Sequence, residues 1–129
     1  MITVHIDGRR VESIASFYAE VNRVFMSGED WRLGESLDAL DDLLYGGYGS
    51  LHGHEQARVV WEEHERSAVA LGLGATREQL REKLATPQRY DQDLIRRRLE
   101  QLDAEGGPTY FETVLEIFRS HEGIELVLA

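Results

Sequence analysis

Apolar positions change their rhythm several times along this chain, and each change marks an element. Ile2, Val4 and Ile6 alternate with Thr3, His5 and Asp7, the two-residue period of a strand, and Asp7-Gly8 closes it as a turn. The spacing then switches to three and four: Ile14, Phe17, Tyr18, Val21, Val24 and Phe25 predict a helix capped by Ser13 and ended by Ser27-Gly28. After a polar loop over 29–34, Leu37, Leu40, Leu43 and Leu44 define a third element, a short helix stopped by Gly46-Gly47. Tyr48 to Gly53 reads as irregular and exposed. Ala57-Arg58-Val59-Val60-Trp61 is a short apolar run that fits a strand inside a sheet.

The second half reads as mostly helical. Residues 67–71 suit a single helical turn, broken by Leu71-Gly72-Leu73-Gly74. Thr76 with Gln79 forms a capping-box pattern ahead of Leu80 and Leu84. Thr86-Pro87 suggests another start, for a longer helix through Tyr90, Leu94, Ile95, Leu99 and Leu102. Residues 76–104 therefore predict a helical hairpin. Thr109 and Glu112 form a further capping box before Val114, Leu115, Ile117 and Phe118. Gly123 ends that helix, and Ile124–Leu128 reads as a final strand. Three strands separated by helical crossovers predict a minimal parallel sheet in an α/β fold, within one domain over 1–129.

The Leu37–Leu44 helix has a second property. At about 100° per residue, Glu35, Asp38, Asp41, Asp42 and Tyr45 share the arc opposite its leucines. Asp38 and Asp42 stand one turn apart, a like-charge spacing that costs a few tenths of a kcal/mol. Stability alone does not explain it. The formal net charge is −10, which disfavours nucleic acid as a direct ligand and favours a basic protein. The charge is uneven: Arg77 to Arg98 carries seven basic and four acidic side chains, a local +3, so the remainder carries −13. Arg96-Arg97-Arg98 is interleaved with carboxylates and lacks an aromatic stacking platform, which reads as a solvated helix face.

Catalytic chemistry finds little support. The chain has no cysteine, hence no disulfide framework or thiol nucleophile, and no segment of membrane-span length. Its start does not resemble a signal peptide, so a cytoplasmic location is expected. His52 and His54 beside Glu55, and His64 amid Glu62, Glu63 and Glu65, do not match a helical zinc pattern; no metal and no cofactor are expected. Tyr45-Gly46-Gly47-Tyr48-Gly49 is no phosphate loop, since it follows a helix and lacks the lysine and hydroxyl. Tyr45, Tyr48 and Trp31 are instead candidates for apolar contact beside the acidic face, although a tryptophan in Trp31's position more often joins the core.

Gly34-Glu35-Ser36-Leu37-Asp38-Ala39-Leu40-Asp41-Asp42-Leu43-Leu44 resembles the central motif of the barstar family, inhibitors of secreted ribonucleases. That motif runs glycine, glutamate, asparagine, leucine, aspartate, alanine, leucine, with a second aspartate two residues later. Ile6-Asp7-Gly8-Arg9 in the first strand and turn resembles the family's start, and 113–119 with 123–128 its end. The resemblance spans roughly 1–64 and 108–129, leaving 72–107 as an inserted helical segment. It implies a three-stranded parallel sheet flanked by helices, no catalysis, and one-to-one binding of a basic bacterial ribonuclease. In the family, the two motif aspartates, here Asp38 and Asp42, lie near the residues that hold substrate phosphate.

Trp31, Glu35, Asp38, Asp41, Asp42, Tyr45 and Tyr48 are therefore the expected partner-binding residues. Several positions depart from the family pattern. Asp41 replaces an aromatic, Arg32 and Leu33 replace loop tyrosines, Gly47 replaces a tryptophan, and Ser120 stands for a glutamate. A barstar-like interaction module for some other basic protein is the alternative. A hydrolase using the carboxylates with a divalent ion is a more distant one.

Overall fold

In a computed structural model describing residues 1–129, three parallel strands form the sheet: β1 (Ile2–Asp7), β2 (Ala57–Glu62) and β3 (Ile124–Leu128), in the order β1-β2-β3. The alternating pattern sets their register. Val4, Val59 and Leu126 lie side by side, as do Ile6, Trp61 and Leu128. These residues face the helices, whereas the opposite side carries polar pairs such as Arg58 Nε–Glu125 Oε2 at 3.0 Å and His5 Nδ1–Glu62 Oε1 at 2.8 Å. β2 lies in the middle, the position that its apolar run requires.

Six helices complete the chain: α1 (Ile14–Phe25), α2 (Leu37–Leu44), α3 (His64–Ala70), α4 (Leu73–Leu84), α5 (Gln92–Glu105) and α6 (Tyr110–Arg119). The core centres on fully buried Trp61, which stacks on Phe17 at 5.6 Å and meets the edges of Phe111 and Phe118. Its indole N–H donates to Ser67 Oγ at 2.9 Å, so its polar atom is satisfied too. Buried Glu20 is held by Arg23 and accepts the Asp7 N–H at 2.7 Å, fixing α1 to the end of β1.

The predicted caps at Ser13 and Thr109 form as expected. Other boundaries differ, for identifiable reasons. α4 begins at Leu73, so Thr76 lies inside it: its buried hydroxyl donates to Gly72 O and accepts the Tyr110 N–H, both at 2.7 Å. This threonine joins two helices instead of starting one. The long helix starts after Asp91, not Thr86-Pro87, because the Asp91 carboxylate accepts the N–H groups of Asp93 and Leu94. α3 begins at His64, earlier than residue 67. The 48–53 segment is partly internal: Gly49–Leu51 forms a 3-10 turn that buries Leu51, and the Ser50 hydroxyl donates to Val24 O and Phe25 O.

Helices α4 and α5 make the expected hairpin. Leu80, Ile95 and Leu102 form a small apolar cluster separate from the main core, with Leu84, Tyr90 and Leu99 around it. An Arg77–Asp103 pair at 2.7 Å joins the two helices on the surface.

Candidate partner-binding site

Helix α2 is built to hold its position. Ser36 caps it, accepting the Ala39 N–H at 3.1 Å, and Leu40, Leu43 and Leu44 are buried beneath it. Each such leucine contributes about 1.5–3 kcal/mol, which outweighs the few tenths lost to the 38/42 carboxylate pair. Packing thus fixes the helix, and the charges are free to serve another purpose. Asp38 and Asp42 are both exposed, one turn apart, and no lysine, arginine or histidine lies within 4 Å of either carboxylate.

Asp41 differs from them. It is half-buried, and its Oδ1 lies 2.6 Å from Nε2 of His121, whose side chain is only 9% exposed. The Tyr45 ring packs edge-on against that imidazole at 4.6 Å. Asp41 and Tyr45 thereby clasp α2 to the turn between α6 and β3, although Tyr45 itself stays exposed. No sequence pattern pointed to His121, because its partner lies 80 residues away.

The loop before α2 is clamped at two points. Buried Asn22 accepts the Leu33 N–H at 2.6 Å and donates to the oxygens of Leu33 and Tyr18. Glu29 Oε1 accepts the Gly49 N–H at 2.9 Å. Between these clamps Trp31 packs against Tyr48 at 4.8 Å while remaining 44% exposed, so it is a surface aromatic and not a core one. Burial, with the charge of Asp42 adding to it, pushes the Tyr48 hydroxyl above the usual tyrosine range. Trp31, Tyr48 and Asp42 accordingly belong to one patch.

Glu35 and Asp38 sit at the other end of the helix, on one wall of a cleft of about 610 Å³. The opposite wall comes from the hairpin and carries Lys83, Arg89 and Arg98. The local +3 between Arg77 and Arg98 was the only sequence signal of this wall, and nothing in the sequence placed it beside α2.

No group of three or more histidine and carboxylate side chains is placed to hold a metal ion. His52 and His54 are exposed. No helix is long and apolar enough to cross a membrane.

A family model described as Barstar (barnase inhibitor) matches residues 1–96. The chain belongs to the barstar family. No curated protein matches it. The match spans β1 through α4 and ends early in α5, including the whole α2 motif. It thus enters the segment expected as an insertion and does not reach the C-terminal stretch from 108 over which the resemblance was also read. The three-stranded parallel sheet with flanking helices is the barstar-like architecture, and barstar proteins are inhibitors with protein partners, not a family of enzymes.

Proposed function

We propose that this barstar-family chain is a non-enzymatic, cytoplasmic inhibitor that binds a basic microbial ribonuclease one-to-one and covers its active site with α2. The observation that carries this reading is the pair of exposed, unpaired carboxylates Asp38 and Asp42 on a rigidly packed helix. A ribonuclease site must be cationic to hold RNA phosphates, and two carboxylates one helical turn apart can take the place of those phosphates. Arginine donors in such a site would form short, charge-assisted hydrogen bonds to them. Trp31 and Tyr48 supply a preorganised aromatic contact next to Asp42, and the overall −10 charge steers a cationic partner inward. Glu35 adds to the negative field at the start of the helix. Asp41 and Tyr45, engaged by His121, support the face more than they extend it.

The test is RNA cleavage by a panel of basic microbial ribonucleases, with and without the protein. Hydrogen bonds to charged groups contribute about 1.5–3 kcal/mol each, so Asp38→Ala with Asp42→Ala should weaken inhibition roughly 10²- to 10⁴-fold. Because both side chains are exposed and unpaired, the thermal midpoint should stay unchanged. Unaltered inhibition by the double variant would show that another face binds. Absence of inhibition across the panel by the folded protein would remove the ribonuclease reading.

A further inference from the structure

The cleft between α2 and the hairpin holds an electrostatic arrangement that the inhibitor reading does not use. Lys83 lies in the last turn of α4, Arg89 in the link and Arg98 in the second turn of α5. No carboxylate approaches any of the three within 4 Å, whereas Arg77 and Arg96 on the same hairpin each have one. Lys83 and Arg89 both lie over the Tyr90 ring, at 5.2 and 5.7 Å from its centroid, which holds two cations close together. Lys83 is half-buried there, and burial together with the charge of Arg98 lowers its pKa, opposed by the charge of Asp38. A lysine at a helix C-terminus is favoured by the helix dipole. That does not account for clustering it with Arg89 and Arg98 in a partly desolvated spot. Glu82 on the same wall and Glu35 and Asp38 across the cleft match the three charges in number, yet none of them closes an ion pair with a member of the group within 4 Å.

Its position has a consequence for binding. A basic ribonuclease approaching Asp38 brings its rim towards Lys83, Arg89 and Arg98, and a cationic rim is repelled there. An acidic rim avoids the repulsion and can pair directly with the three cations once Asp38 is engaged by the ribonuclease. Resting on the ribonuclease reading above, we propose that the α4–α5 hairpin is a specificity element. It favours ribonucleases that carry acidic side chains beside their basic site and rejects those whose rim is basic. Discrimination by a repulsive element of this kind acts against the wrong partner without weakening the attraction of Asp38 and Asp42 for the right one.

The experiment compares inhibition constants of wild-type protein and K83E/R89E/R98E across barnase-type ribonucleases, sorted by the charge lying within about a Debye length, roughly 8 Å, of their active-site cations. Wild type should inhibit the acidic-rim members at least about tenfold more tightly, and the charge-reversed variant should invert that order. K83Q/R89Q/R98Q, which avoids new carboxylates near the half-buried Lys83 site, should flatten the preference while keeping the wild-type thermal midpoint. Inhibition with the same ranking in all three forms overturns the hairpin's role and leaves the inhibitor function standing. No inhibition by any form overturns both. Retention of a short RNA by free wild-type protein, lost in K83E/R89E/R98E, would assign the cleft to nucleic acid and also overturn the proposal.

Discussion

Asn22 is the side chain through which α1 controls the loop that leads into α2, and Asn22→Leu tests that control. The Leu33 N–H and C=O are both bonded to the Asn22 amide, and neither has a backbone partner. Leucine is close to asparagine in size and has no polar atom, so the substitution leaves two buried backbone groups unpaired. At about 1–3 kcal/mol each, the loss is about 2–6 kcal/mol, and the added apolar burial returns about 1–2 kcal/mol. A net destabilisation of about 0–5 kcal/mol, centred on roughly 2.5 kcal/mol, follows, a large share of the 5–15 kcal/mol typical of a domain. Urea unfolding measures it directly, and the variant should keep the wild-type denaturant slope. Hydrogen exchange should show the Leu33 amide losing its protection before the core amides of β2. If the loop opens to water instead of staying buried, the stability loss shrinks and this local exchange grows. In that case Trp31 loses its fixed place against Tyr48, and partner binding weakens. Stability within about 0.5 kcal/mol of wild type, with Leu33 still protected, would refute the clamp.

Two further outcomes follow from the packing. The Tyr18 and Tyr110 hydroxyls are buried against each other at 2.6 Å, and burial raises both pKa values above the ordinary tyrosine value of 10.0. The folded state therefore keeps protons that the unfolded chain releases, and the resulting stability is present below pH 10 and lost above it. The fall is about 1.4 kcal/mol per pH unit for each tyrosine. It should disappear in Y18F/Y110F, and phenolate absorbance from Tyr18 at pH 11 in folded Y110F would contradict it. Gly49, at φ +73°, has room for no Cβ: one built there would lie 2.6 Å from the Phe25 carbonyl oxygen. Gly49→Ala should cost about 2–4 kcal/mol from left-handed strain plus clash, roughly 4 °C of melting temperature per kcal/mol for a chain of this size. Gly28→Ala, with nothing within 4 Å, is the control and should leave the melting temperature unchanged.

Local rhythm was sufficient for most of the fold. Strand alternation at Ile2–Ile6, the 3–4 spacing in α1 and α6, and the Ser13 and Thr109 caps depend on residues a few positions apart, and those interactions survive in any tertiary context. The starts of α4 and α5 were less legible. Thr76 has the sequence signature of a cap, but its hydroxyl is taken by the Tyr110 backbone, a partner 34 residues away. Pro87 was a weaker start signal than the bonds that Asp91 makes.

The same division runs through the site. The amphipathic pattern of α2 was enough to place Asp38 and Asp42 together on its outer face, because both depend only on the helical repeat. That repeat gave Asp41 the same standing. Only the tertiary structure, by bringing in His121 from 80 residues away, turned Asp41 from an open charge into a clasp. Likewise, composition showed that residues 77–98 are basic, but only packing set Lys83, Arg89 and Arg98 across a cleft from Glu35 and Asp38. Periodicity determines what each element presents; which charges then face one another depends on long-range packing, which no local pattern records.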